Sequence, residues 1–234
     1  VLKEFEQNFD LLCKLIKPLK VNEFLRDYYE KKPLLSPNND SRNFDDLISL
    51  EKLDHLLATS ELPPASIDMA RSKPPISKAN FTFKSGNIDR GAVVRHYQSG
   101  ATIIFPQINL AIDELANFCR NLEFELSCKV QTNVYLTPRN SQGFKTHYDD
   151  HDVFIMQIHG KKNWNLYQQA VEKPFRGEPF DSSEHEAGKL NLNFTMEPGD
   201  CLYIPRGYMH DATNVGSEPS LHITVGLLVK KWAD

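Results

Sequence analysis

From Cys128 onward the chain is cut into short runs of β-branched, aromatic and aliphatic residues, and this constrains its fold more than any other feature. The runs are CKVQTNVYLT, HDVFIMQIH, NWNLYQ, FTMEP, CLYIP and SLHITVGLLV. Turn sequences separate them, among them Asn140-Ser141-Gln142-Gly143, His159-Gly160-Lys161 and Pro198-Gly199-Asp200. Many short strands with Gly/Pro turns indicate a mainly β sandwich, barrel or jelly roll, and the order of the runs does not choose among the three.

Upstream the texture is different. Phe5, Phe9, Leu12, Leu15 and Ile16 recur at helical spacing, as do Phe24, Leu25 and Tyr28 before the Lys31-Lys32-Pro33 break. SPNNDSRN (36–43) reads as a loop, and FDDLISLEKLDHLLATS as one or two short helices ending before Pro63-Pro64. Residues 61–90 read as an irregular connection with one short strand around Asn80–Lys84. AVVRHY and ATIIF, from Ala92, are further β-branched or aromatic runs, and an amphipathic helix is expected from about Asn109 to Phe124. The expected organisation is an N-terminal helical and irregular region, residues 1–91, packed on a core domain of residues 92–234.

Composition carries no direct signal for a nucleic-acid or membrane partner. A formal net charge of -4 shows no global pull toward nucleic acid. No apolar run approaches the roughly 20 residues that span a bilayer. The four cysteines, Cys13, Cys119, Cys128 and Cys201, are scattered without a CxxC pair, as expected of reduced thiols in a cytosolic protein. The start, VLKEFEQNFDLLCKLIKPL, carries acidic residues and lacks the apolar stretch of a signal peptide, so a soluble cytoplasmic protein is expected. Val1 in place of Met is expected from processing or from a boundary within a longer chain, and VKKWAD reads as the start of another amphipathic stretch.

GFKTHYDDHDVFIMQIHG is where the chemistry concentrates. Along a strand His147 and Asp149 project to one side, with Cβ atoms roughly 6–7 Å apart, so an imidazole and a carboxylate can share one divalent ion. The best third ligand is His210, which follows a strand that starts at a Pro-Gly-Asp turn and is punctuated by Pro205 and Gly207. Two histidines and one carboxylate leave positions free for a cosubstrate and O₂, the arrangement that suits non-haem Fe(II). The bland alternatives are a surface histidine for His147 and a turn residue for Asp149. His151 shares their face if the strand is regular, whereas Asp150 and Asp152 point away as solvated loop-edge carboxylates. His222 lies on another strand beside Thr224, His159 precedes a turn glycine, and His55, His96 and His185 have no supporting context.

Hydroxylation with O₂ needs two electrons beyond Fe(II), which a 2-oxo acid supplies by decarboxylating. Its far carboxylate then needs a buried cation. Lys162 shares parity with Trp164 and Leu166 on an apolar face, which is costly without an anionic partner; the bland reading is a lysine that snorkels or sits in the turn. Trp164 reads as a core aromatic. Asn133 and Tyr135 share one face of one strand, either as an interior hydrogen bond or as groups orienting a bound organic acid.

Residues 133–167 and 198–212 closely resemble the JmjC/cupin ribosomal oxygenases, which are Fe(II)- and 2-oxoglutarate-dependent hydroxylases of ribosomal protein side chains. The likeness rests on an N-x-Y strand, T-P-x-x-S-Q-G-F, H-Y-D-D, the Gly-x-Lys-x-Trp turn and strand, and the PGD-to-His segment, in that order. It covers residues 92–234, and FLRDYYEKKPLL also looks like the family's opening. The resemblance implies a double-stranded β-helix (jelly roll) with flanking helices. It implies His147, Asp149 and His210 as iron ligands, Lys162 as partner of the 2-oxoglutarate distal carboxylate, and Asn133 and Tyr135 close to the cosubstrate. It further implies a protein or peptide substrate, and a homodimer if the family's C-terminal helical region is present. The His151-Asp152 pair after HYDD departs from the family pattern and is expected to alter the substrate mouth. Two rivals stand beside this reading: a non-catalytic jelly-roll binding module and a JmjC lysine demethylase.

Overall fold

Alternation along the strands decides which face of each is covered, and by what. The computed structural model describes residues 9–60, 63 and 65–229. Phe5, Pro64 and most of VKKWAD therefore lie outside the described residues. In chain order the elements are α1 (Asp10–Ile16), α2 (Val21–Asp27), β1 (Leu34–Ser36), α3 (Leu50–Thr59), β2 (Asp68–Ala70), α4 (Arg90–Gln98), β3 (Thr102–Phe105) and α5 (Asp113–Leu126). There follow β4 (Lys129–Thr137), β5 (Asp152–His159), β6 (Lys162–Gln169), β7 (Leu190–Met196), β8 (Cys201–Ile204), β9 (Tyr208–Asn214) and β10 (Ser220–Leu228).

A seven-stranded sheet has the order β1-β8-β5-β10-β4-β3-β2, and a three-stranded sheet the order β7-β6-β9. Every pairing is antiparallel. β5 is buried from Asp152 to Ile158 because both its faces are covered. Phe154, Met156 and Ile158 join the large core beneath the helices, with Leu12, Phe24, Leu53 and Leu122. Val153 and Ile155 face the smaller sheet and pack with Trp164, Leu166 and Met196. On β10, Leu221, Ile223, Val225 and Leu227 take the helix side. Parity then turns His222 and Thr224 toward the space between the sheets. The architecture is a jelly roll of two facing sheets with helices packed outside the larger one.

The N-terminal segment completes this sheet, since β1 and β2 form its two edges. Neither short strand was visible in the sequence. The boundary expected at residues 91 and 92 falls inside α4, and residues from both sides share one core. AVVRHY is helical, contrary to its β-branched texture. Asp89 caps it by accepting from Ala92 N at 2.9 Å, and Ala92 and Val93 are buried against the core. The strand expected around Asn80–Lys84 is also absent: a 3₁₀ turn spans Lys78–Asn80, and Thr82 makes only an isolated bridge to Ile88.

Asp152 corrects a further expectation. It is fully buried rather than a solvated edge carboxylate. Its oxygens accept from Tyr203 O–H at 2.6 Å, from Arg206 Nη1 at 3.0 Å and from Arg206 N at 3.1 Å. Arg206 also reaches Glu30 at 2.9 Å, so one charge-assisted cluster fastens the turn after α2 to the jelly roll.

Candidate metal centre and its cavity

The stretch from Ser141 to Asp149 runs beside β9 as irregular extended backbone. Gln142 bridges to Thr213 and His147 to His210, and Asn214 N donates to Ser141 O at 3.0 Å. His147 and His210 exchange both backbone bonds, His147 N to His210 O at 3.0 Å and His210 N to His147 O at 2.7 Å. Residues directly opposed in this way present their side chains on the same face. Their rings lie 4.6 Å apart. Gly207 N then donates to Asp149 O at 3.0 Å. Gly207 has φ +81, and a Cβ there would stand 1.9 Å from Val171 O, so the β8–β9 turn needs glycine. Two expectations change here. His147 and Asp149 are not on a regular strand, and His210 lies within β9 rather than after a strand end. Backbone pairing across the chain, not alternation along one strand, aligns the three groups.

One ligand atom from each of His147, Asp149 and His210 lies within 4.8 Å of the others, with His210 Nε2 3.8 Å from Asp149 Oδ2. Both imidazoles face a backbone carbonyl through Nδ1: His147 donates to Lys145 O at 2.8 Å and His210 to Tyr208 O at 3.0 Å. Those bonds place the ring proton on Nδ1 and leave each Nε2 lone pair for a cation. Burial, and then the neighbouring His147, push His210 down to about 4, so it is neutral and able to ligate at physiological pH.

Asp211 braces this arrangement, and sequence reasoning did not find it. Its Oδ2 accepts from Thr146 Oγ1 at 2.7 Å and Tyr167 O–H at 2.8 Å, while Oδ1 accepts from Asn165 Nδ2 at 2.9 Å. The only sequence signal was an acidic residue after His210, which many exposed strands share. Asp211→Ala is expected to weaken Mn(II) binding about tenfold, because both imidazoles keep their carbonyl partners while the segment carrying His147 loses its side-chain tie through Thr146 and keeps only the backbone ones. Mn(II) titration by electron paramagnetic resonance measures this.

The triad opens on a cavity of about 240 Å³ between the sheets. Val153, Ile155 and Trp164 form apolar walls, and the buried Gly143 and half-exposed Phe144 also line the cavity. Lys162 lines the same cavity four residues from Leu166, the β6 partner of His210, and so ~13 Å along the strand. It is 5% exposed, and its Nζ donates to Thr137 Oγ1 at 3.1 Å. Burial lowers its pKa to about 7. Trp164 is a buried wall residue as expected, and its Nε1 has no acceptor among the described residues.

Tyr135 lines the cavity, and burial pushes its hydroxyl up. Asn133 does not line it: its Oδ1 accepts from Gln107 N at 3.0 Å, and its side chain bonds to Tyr135. His222, passed over in the sequence, lies beside Lys162. His151 and Asp152 are both absent from the cavity lining. His151 stands against Gly226 and bonds to Asp150 at 3.0 Å. Asp150, expected to be solvated, also accepts from Gly177 N at 2.8 Å. His159 sits 3.4 Å from Glu218, and His96 bonds to Asn80 O.

Among the described residues, no helix is long and apolar enough to cross a membrane. Comparison with known proteins agrees with the architecture. The chain is 35% identical over 215 residues to Bifunctional lysine-specific demethylase and histidyl-hydroxylase NO66 of Drosophila persimilis, covering 92% of this chain and 31% of that protein. It is 36% identical over 227 residues to Ribosomal oxygenase 2 of Mus musculus, covering 94% and 48%. The chain thus spans under a third of the first relative and about half of the second. Among solved structures, the ribosomal oxygenase YcfD of Escherichia coli, in complex with cobalt and 2-oxoglutarate, superposes with a TM-score of 0.62 at 18% identity. That match covers 92% of this chain and 53% of YcfD, and it shows a common fold. The family model of the JmjC domain matches residues 106–234, more than half of the sequence, and the chain belongs to the JmjC domain family.

Proposed function

We propose that this chain is the catalytic part of an Fe(II)- and 2-oxoglutarate-dependent oxygenase that hydroxylates a side chain of a protein, with a ribosomal protein as the substrate. The observation that carries this reading is the convergence of His147, Asp149 and His210 on one cavity that also holds a buried lysine.

The residues present fit both groups. Two imidazoles and one carboxylate suit Fe(II) and leave coordination positions free. A buried amine that among the described residues faces only neutral partners, with the Trp164 N–H nearby that has no acceptor among them, suits an anionic ligand rich in oxygen. When bound together, Fe(II) and 2-oxoglutarate supply O₂ activation and the two electrons that hydroxylation needs. His147 and His210 would hold the iron through Nε2, and Asp149 through its carboxylate. Lys162 would partner the distal carboxylate of 2-oxoglutarate. Tyr135 would contact the cosubstrate, and Asn133 would act through Tyr135 as a positioning residue. Val153, Ile155 and Trp164 exclude water from the cavity walls.

The ribosomal substrate is supported by the names of relatives such as Ribosomal oxygenase 2. Lysine demethylation is a second reading, favoured by the name of the NO66 relatives. The same iron chemistry would serve both. The test is incubation with a set of ribosomal-protein peptides, Fe(II), 2-oxoglutarate and air, followed by mass spectrometry. Addition of one oxygen is the expected result, whereas loss of a methylene would establish demethylation. If no visible absorption band appears on adding 2-oxoglutarate to the anaerobic Fe(II)-loaded chain, and no succinate forms in air, the chain is a binding module.

A further inference from the structure

At the end of the cavity away from the triad, two basic side chains face each other. Lys162 Nζ stands 3.5 Å from His222 Nδ1, and the two residues are 5% and 3% exposed. His222 lies flat on Tyr135, with centroids 4.8 Å apart and planes 3° from parallel, and meets Trp164 edge-on at 5.8 Å. Three strands surround the pair. β4 presents Tyr135 and Thr137, β6 presents Trp164, and β10 presents Thr224. None of these is a carboxylate. Among the described residues, the two carboxylates that line the cavity, Asp149 and Asp211, belong to its metal end.

A buried amine beside an imidazole, with no anion in reach, either sheds its proton or recruits an anion. Burial holds Lys162 at about 7. Burial, and then the lysine itself, hold His222 well below the ordinary histidine value. With Nδ1 turned toward the amine, Nε2 is the ring nitrogen not committed to it. We propose that Lys162 and His222 together recognise the distal carboxylate of the cosubstrate, and that each cosubstrate molecule enters with a proton taken from solvent. This rests on the 2-oxoglutarate reading and deepens it. The only covalent change is protonation of Nζ: a neutral amine and a buffer proton become an ammonium, which pairs with the incoming carboxylate.

A group near 7 is mostly unprotonated at pH 8 and mostly protonated at pH 6. Uptake should therefore be about 0.9 proton at pH 8 and about 0.1 at pH 6. Binding should weaken about tenfold per pH unit above pH 7 and level off below it. The test is calorimetric titration of the Mn(II)-loaded chain with 2-oxoglutarate at pH 8, in phosphate and in Tris. The two heats should differ by the difference between the ionisation enthalpies of the two buffers, multiplied by about one proton. Lys162→Arg, whose charge is permanent, should bind without uptake and without the pH dependence. His222→Phe keeps the stack on Tyr135 and removes the ring nitrogens; its Kd for 2-oxoglutarate should rise about tenfold. Equal heats in the two buffers, or an unchanged Kd in His222→Phe, would overturn the proposal while leaving 2-oxoglutarate binding intact. No binding at all would overturn the cosubstrate reading as well.

Discussion

Replacing His147 or His210 with alanine is expected to abolish 2-oxoglutarate turnover and to leave the chain folded. The loss should be complete because each variant strips one of only three protein ligands from the proposed iron, and the remaining pair no longer defines an open face. Folding should survive because the HxD stretch is held by backbone and by Asp211, not by the imidazoles. The reciprocal bonds at 3.0 and 2.7 Å involve main-chain atoms alone. His210→Ala removes a buried ring, but the ring borders a cavity that already exists, so little new void is created. Succinate formation measures turnover, and circular dichroism with thermal melting measures the fold. Full turnover by either variant would refute the assignment.

Lys162→Ala should raise the 2-oxoglutarate concentration needed for half-maximal rate by roughly ten- to hundredfold. That range follows from a charge-assisted hydrogen bond of about 1.5–3 kcal/mol to the distal carboxylate. The rate at saturation should change little, since the lysine lies ~13 Å along β6 from the residue opposite His210. Stability should not fall either. The amine is buried against Thr137 and His222 without an anion, so its removal relieves a desolvation cost instead of orphaning a partner charge. Steady-state kinetics at varied 2-oxoglutarate separates the two parameters. An unchanged requirement would remove Lys162 from the site.

Particular residues show how far sequence reasoning reached. The mainly β class was readable because β4, β5, β6, β8 and β10 each carry a run of strand-forming side chains closed by a turn, whereas the choice of a jelly roll came from the family resemblance. The triad was readable for a chemical reason: a His-x-Asp pair and a later histidine are the few groups able to share a cation. The same local logic failed at AVVRHY, where two valines suggested a strand. Asp89 capping and burial of one face select a helix there. It failed again at His151, because the backbone between Asp149 and β5 does not keep the alternation that a strand would impose.

By itself, then, the sequence determined the elements whose pattern is complete within about ten residues, and the chemical types available for a metal site. Only the tertiary structure decided which of those groups meet. His222 is 60 residues from Lys162, yet the two share a cavity because β10 lies between β4 and β5 and turns alternate side chains inward. Asp211 acquired its bracing role from Thr146, Asn165 and Tyr167, each brought over by antiparallel pairing. Strand pairing is non-local: its register is set by which faces the whole core covers, and no short stretch of chain carries that information.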